Sequence, residues 1–368
     1  MILNEEQQLF HDAMANFFSE HASIDALRRL REEPSKTGFD REVWANLVEL
    51  GLAGIVVPEE HGGLSFGWLG LGAIAGASGR HLSPTPLFSH IVLAQELLLN
   101  CGSAEQVASH LPALLSGGEV WTVAIDGGRF FQGGDDSVNE VAEGRLTGRK
   151  VLVPEGEAAD YLLLPVRRTD SRLGVFAVPA EAEGVHIEAT RMMDGRQYAN
   201  ISFEEFDTSD GEWLEGNSLE RGWELTLNRA MIVLAAEMTG SARELLERTV
   251  QFLSEREQFG VKLATFQALQ HRCAKLYGEL ELAESAVLGA LSAIDHGESE
   301  IAAKASLAKA MANDCFTLVS SEAVQLHGGM GVTDEMDVGL FLKRSRVANQ
   351  LLGTSDWHRN RFAGLAGF

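Results

Sequence analysis

The chain has 368 residues, 45% of them hydrophobic, three cysteines and a formal net charge of −23. At roughly 100–200 residues per domain, that length predicts two or three domains. The acidic balance argues against nucleic acid and anionic membranes as partners, so any phosphate site must be built locally from a few arginines and backbone N–H groups. No apolar run reaches the ~20 residues of a membrane span. The opening MILNEEQQLFHD has neither a basic n-region nor an apolar h-region, so no secretory signal is expected. Cys101, Cys273 and Cys315 are far apart and odd in number, and read as core residues in a reducing cytoplasm rather than a disulfide framework or metal site.

Residues 1–117 read as a helical domain. The first helix, Glu5 to Phe18, offers Leu9, Ala13, Phe17 and Phe18 as its apolar face. Asp40 ahead of REVWANLVELG is an N-cap and Gly51 a C-cap. A loop, VVPEEHGGLSFG, precedes two further helices, Phe66 to Gly79 and Leu87 to Asn100. The character changes at Gly117-Gly118. Residues 118–212 read as a middle β-sheet or barrel domain of six to eight strands, with VHIE alternating and LGVFAVP a short β-rich run.

Residues 213–368 read as a helical bundle domain. Ala242, Leu246, Val250 and Leu253 share a face. Leu269, Cys273, Leu276, Leu280, Ala283, Val287, Leu291 and Ile294 follow a 4-3-4-3-4-4-3 spacing, as do Ile301, Ala305, Ala308, Ala312, Cys315, Val319, Ala323 and Leu326. The short connections FGVKLAT and DHGES make sequential helices antiparallel, which predicts a four-helix bundle. The fold class is therefore α+β, in α, β, α order, and such segregation argues against a doubly wound sheet. No GxGxxG or GxxxxGK[ST] supports a Rossmann or P-loop reading.

Three stretches carry candidate chemistry. REQFG, Arg256 to Gly260, places an arginine at a helix end, where it suits the macrodipole or could meet a phosphate. QLHGGMG, Gln325 to Gly331, ends another helix at Gly328 and Gly329, which either cap it or let a ligand approach the backbone. VVPEEHGG alone is a loop. His61, His81, His90 and His110 lack ligand spacing, and Asp135-Asp136 reads as a solvated turn.

Taken together and in order, ELGLAGIVVPEEHGGL, EGRLTGRKVLV…ADYLLL, GVFAVPAEAEGVHIE, REQFG…FQALQ, QLHGGMG and GTSDWHRNR resemble the acyl-CoA dehydrogenase family of flavoproteins across essentially the whole chain. The resemblance implies FAD as cofactor and an acyl-CoA thioester as substrate. It implies a carboxylate that removes the α-proton and passage of the β-hydride to flavin N5. It implies cofactor contacts at Arg256, Gln258, Phe259, Leu263, Phe266, Gln325, Gly328 and Gly329, made across a subunit interface to the pyrophosphate and adenosine part of a neighbour's FAD.

The chain departs from the family at the reacting centre. The usual glutamate before the Gly-Thr turn is matched by Leu352, and the second family seat for the base is matched by Ala230, with Met231 where an arginine is common. Neither residue can accept a proton. WTVAIDGGRFFQGGDDS lacks the Thr-Glu-Pro and Gly-Ser-Asp stretches, and Pro154 stands at the threonine position that faces flavin N5. The chain thus resembles the non-catalytic type of subunit in heteromeric α2β2 members. This implies a partner subunit of the same family that supplies the glutamate, with two FAD per assembly and a bulky steroid side-chain thioester as candidate substrate. A self-sufficient homo-oligomer with Glu237 as displaced base is the alternative, against which Glu237 reads as a solvated or interface residue; a flavin-free structural subunit is a third reading. Arg196, in MMDGR, is expected to tie the β-domain to a neighbour.

Overall fold

The computed structural model describes residues 3–33, 35–126, 131, 133, 138–141, 144–168, 170 and 172–368, without the side chains of 138–141. The Asp135-Asp136 turn lies outside the described residues. The chain forms two compact units, residues 1–27, 66–83 and 231–368 in one and 28–65 and 84–230 in the other. Among the described residues no helix is long and apolar enough to cross a membrane.

The first unit is helical. It contains α1 (Glu5–His21), α4 (Gly67–Arg80), residues 231–255 of the long α7 (Leu219–Glu255), α8 (Gln267–Asp295), α9 (Ile301–His327), α10 (Val338–Gln350) and α11 (Ser355–Leu365). Asn4 closes a capping box with Gln7 at the start of α1. The buried face of α1 is Met14 and Phe18, with Phe10 edge-on to Phe66, whereas Leu9 is 72% exposed. Of the expected face Leu9, Ala13, Phe17 and Phe18, Phe18 is buried, but Leu9 and Ala13 are exposed and Phe17 is half-buried: two apolar stripes compete on this helix, and packing on α4 selects the Phe10–Met14–Phe18 stripe.

The α9 stripe is buried as expected from Ala305 to Leu326. The α8 stripe is buried from Leu276 onward, while Leu269 and Cys273 at its N-terminal end are only partly covered. Val250 on α7 is likewise exposed, because this end of the bundle projects beyond the unit's own core. α4 and α7 approach backbone to backbone. A Cβ at Gly240 would collide with the Gly76 carbonyl, so glycine is obligatory at this crossing.

The second unit contains α3 (Arg41–Glu49), α5 (Glu96–Cys101), α6 (Ala104–Leu115) and an eight-stranded sheet, and α2 (Ile24–Glu32) runs into it. Asp40 caps α3 through the N–H groups of Glu42 and Val43, and Gly51 follows at φ 98°. The expected Leu87–Asn100 helix is wound as a π-helix over Leu87–Gln95 before it tightens into α5, and it is buried from Leu87 to Leu98. The strands are β1 (Trp121–Val123), β2 (Val138–Val141), β3 (Arg145–Pro154), β4 (Tyr161–Arg167), β5 (Leu173–Pro179), β6 (Val185–Arg191), β7 (Gln197–Asp207) and β8 (Glu212–Trp213). Their order is β6-β7-β3-β2-β4-β5-β8, with β1 parallel to β4. Leu146, Leu162, Leu164, Phe176, Ile201 and Phe206 belong to the core under the sheet.

His90 locks three pieces of this unit together. Its Nε2–H donates to the Leu114 carbonyl at 3.0 Å, and its Nδ1 accepts the Trp121 N–H at 3.1 Å. Burial pulls its pKa down to about 4, so it is a neutral structural residue. Arg196, expected to reach a neighbour, is instead buried and engaged within its own chain. Among the described residues no His/Cys/Asp/Glu group could hold a metal ion.

Candidate functional site

α7 ends at Glu255, and the chain then makes a hairpin of β9 (Glu257–Gln258) and β10 (Val261–Lys262). Its two turn residues, Phe259 and Gly260, have φ of 58° and 78°, the two-positive-φ geometry of a tight hairpin. The helix-end reading of REQFG is refined accordingly: Gly260 is left-handed, but at a hairpin tip. The Leu263 N–H donates to the Arg256 carbonyl at 2.9 Å and ties the hairpin back to α7. Phe259 is 89% exposed and stands edge-on to Phe266, which precedes α8.

This hairpin and the end of α9 enclose a cleft of about 630 Å³. It brings together six of the eight residues implied by the resemblance: Arg256, Gln258, Leu263, Gln325, Gly328 and Gly329 all line it, and Phe259 and Phe266 stand outside. At Gly328, φ 60° and ψ −140° form a conformation that L side chains rarely adopt. A Cβ at Gly328 or Gly329 would meet open space, so the bare backbone faces outward and a ligand can approach it.

The cleft also includes Phe252, Arg272 and His327, which sequence reasoning did not single out. Arg272 is committed to Glu322 at 2.6 Å. Arg256 has no ion pair or side-chain hydrogen bond among the described residues. It is a cation at a corner rich in outward-facing backbone, which suits a diphosphate. The donor set therefore fits the phosphate-bearing end of a dinucleotide, and the volume lies in the range of small-molecule sites.

The two seats of the base are apolar. Leu352 is 3% exposed and holds φ 55° between α10 and α11. A buried network fixes this turn. His358 Nε2 donates to the Leu352 carbonyl at 2.9 Å, and Asn313 Nδ2 donates to the Gly353 carbonyl at 3.2 Å. Lys309 Nζ donates to Asn313 Oδ1 at 2.6 Å and to the Ala348 carbonyl at 3.0 Å. Burial pushes Lys309 well below the usual lysine range, with the Arg344 charge adding to the effect. Burial likewise takes His358 down to about 3.

Ala230 on α7 is fully buried. The adjacent Arg229 forms an ion pair with Glu96 of α5, which Asn100 also contacts at 2.7 Å. Glu96 is a buried carboxylate that sequence reading missed in the apolar run ELLLN. Burial raises its pKa, opposed by Arg229. Met231, in the other unit, has Arg361 Nη1 3.7 Å from its sulfur.

Glu237 corrects the solvated or interface reading. It is 6% exposed and bound by Arg344 Nη2 at 2.8 Å and Nε at 3.0 Å. An arginine 107 residues away in sequence was needed to bury it. On the sheet, Pro154 ends β3 and its carbonyl accepts the Thr122 hydroxyl at 2.8 Å. The position thus offers a flavin ring neither a hydroxyl nor an N–H, and the nearby hydroxyl is already engaged. The cleft residues suit the diphosphate end of FAD, and Pro154 offers a flavin ring no hydrogen-bond donor.

Comparison with known proteins places the chain in a family. Residues 4–118 match the acyl-CoA dehydrogenase N-terminal domain and residues 220–364 the C-terminal domain. The acyl-CoA dehydrogenase IpdE2 of Mycolicibacterium smegmatis is 29% identical over 95% of this chain and 96% of its own length. The solved Tcur3481-Tcur3483 steroid ACAD G363A variant is 30% identical, covers 99% of this chain and 98% of its own, and superposes with a TM-score of 0.88. The ChsE4-ChsE5 complex from Mycobacterium tuberculosis shares the fold at a TM-score of 0.88 and 24% identity over 100% of this chain and 99% of its own. The first carries two component names, Tcur3481 and Tcur3483, and the second is a complex of ChsE4 with ChsE5. The chain belongs to the acyl-CoA dehydrogenase family, whose oxidoreductases work with FAD.

Proposed function

We propose that this chain is the non-catalytic subunit of a heteromeric, FAD-dependent acyl-CoA dehydrogenase. It closes the pyrophosphate and adenosine end of a flavin site whose ring pocket and glutamate belong to a related partner subunit. The observation that carries this reading is an asymmetry. The Arg256–Gln325–Gly328 cleft is intact and its arginine is unpaired among the described residues, while Leu352 and Ala230 offer no base. When bound, the flavin supplies hydride acceptance. The residues of this chain bind and orient its diphosphate: Arg256 as counter-charge, Gln325 as donor and acceptor, and Gly328 and Gly329 by close backbone approach. The partner's carboxylate takes the α-proton.

An α2β2 assembly of this kind holds two FAD. A bulky steroid side-chain acyl-CoA is the candidate substrate, supported by the steroid named for the solved relative. The three free cysteines fit a reducing cytoplasm. The self-sufficient alternative loses support because Glu237 is held by Arg344 inside the helical unit. The test is an Arg256→Ala variant co-expressed with a family member that carries a glutamate at either seat. Weaker FAD retention by the complex supports the reading, and unchanged retention favours a flavin-free structural subunit.

A further inference from the structure

His327 ends α9 and lines the Arg256–Gln325 cleft. It is held in one orientation by two contacts. Its Nδ1 lies 2.8 Å from the Ala323 carbonyl one turn back, and its ring stacks on Phe252 with centroids 4.2 Å apart and planes at 23°. A carbonyl oxygen only accepts, so Nδ1 carries the proton. In the neutral ring Nε2 then carries a lone pair. Burial lowers the pKa of His327, so the neutral form holds at neutral pH. Nε2 has no partner among the described residues and is not among the sealed, unsatisfied atoms of the interior.

The other side chains here divide differently. Arg256 only donates, Arg272 is taken by Glu322, Gln258 is an exposed side chain whose Nε2 donates to its neighbour's carbonyl, and Gln325 is an exposed, rotatable amide that can present either its donor or its acceptor. A rigid acceptor beside a diphosphate site reads something that a diphosphate lacks, namely a hydrogen-bond donor. We propose that His327 is a ligand-reading residue of this cleft, whose Nε2 accepts a hydrogen bond from a ribose hydroxyl or the adenine amino group of a bound adenosine diphosphate moiety. The inference rests on the cleft being a dinucleotide site and adds a recognition contact to it.

The test titrates ADP into the full chain, with histidine ¹⁵N resonances and calorimetry as readouts. The expected result is an upfield shift of the His327 Nε2 resonance on ADP binding. His327→Phe, which keeps the stack on Phe252, should weaken ADP roughly three- to tenfold, the worth of one net hydrogen bond. His327→Gln should keep part of that affinity. Either 2′-deoxy-ADP or inosine diphosphate should bind the native chain more weakly by the same factor and lose nothing further in His327→Phe, which separates a ribose donor from an adenine donor. If ADP binds and Arg256→Ala weakens it, but the Nε2 resonance stays still and His327→Phe binds equally well, His327 is structural and this inference falls alone. If ADP does not bind, and Arg256→Ala changes nothing, the dinucleotide reading of the cleft falls with it.

Discussion

Glu237 on α7 and Arg344 on α10 form a buried ion pair, with Arg344 Nη2 2.8 Å from Glu237 Oε1 and side-chain exposures of 8% and 3%. A carboxylate held this way by a guanidinium is a structural element, and its removal leaves a buried cation. Glu237→Gln should therefore destabilise the fold by about 3–5 kcal/mol, measured by denaturant unfolding. A Glu237→Gln, Arg344→Met double variant should recover much of that loss. A Glu237→Gln chain of native stability that has lost a native dehydrogenase activity would instead reinstate Glu237 as a base.

Gly240 and Gly76 meet where α7 crosses α4. Gly240→Ala must push the helices apart, because the added Cβ would overlap the Gly76 carbonyl, which is backbone and cannot rotate away. The expected cost is about 1–3 kcal/mol, read as a lower denaturation midpoint with an unchanged slope. Gly289→Ala on α8, where an added Cβ meets nothing within 4 Å, is the control and should be neutral or slightly stabilising.

His90 and His358 give the stability a pH dependence of known sign. Both are held neutral in the folded state, with pKa values near 4 and near 3, against an ordinary value of 6.5. The unfolded chain therefore binds protons first. Stability is fully present above about pH 6.5 and falls progressively as the pH drops toward those folded values. His358→Gln keeps a donor for the Leu352 carbonyl and cannot titrate. It should remove about one proton from the pH slope of unfolding between pH 6 and pH 4; an unchanged slope would contradict the assignment.

Phe259 sits at the hairpin tip with a left-handed backbone and almost complete exposure. Phe259→Ser should change the stability of the isolated chain by less than about 0.5 kcal/mol. The same change should weaken assembly with a catalytic subunit, measured by sedimentation of the mixed chains.

The long stripes of α8 and α9 were legible because sixteen apolar residues at helical spacing leave one face to bury. The face of α1 was legible only at Phe18, since Phe10–Met14–Phe18 and Leu9–Ala13–Phe17 are equally periodic and only α4 decides between them. The hairpin after α7 escaped notice because its turn is Phe-Gly, where asparagine or aspartate would have signalled two positive φ values. Arg256, Gln325 and the glycine pair were read from motifs and converge on one cleft. His327 was invisible as a site residue, because its role depends on Phe252 and on which nitrogen faces the Ala323 carbonyl. Glu96 and Glu237 were misjudged or missed for the same reason: their arginines lie 133 and 107 residues away.

The most direct measurement is flavin counted per polypeptide, with acyl-CoA dehydrogenation assayed in parallel, for the chain purified alone and for the chain co-expressed with a family member that carries the glutamate. Little flavin and no turnover are expected for the chain alone, and one FAD per pair of subunits with turnover for the mixture. Full flavin loading and dehydrogenation by the chain alone would contradict it.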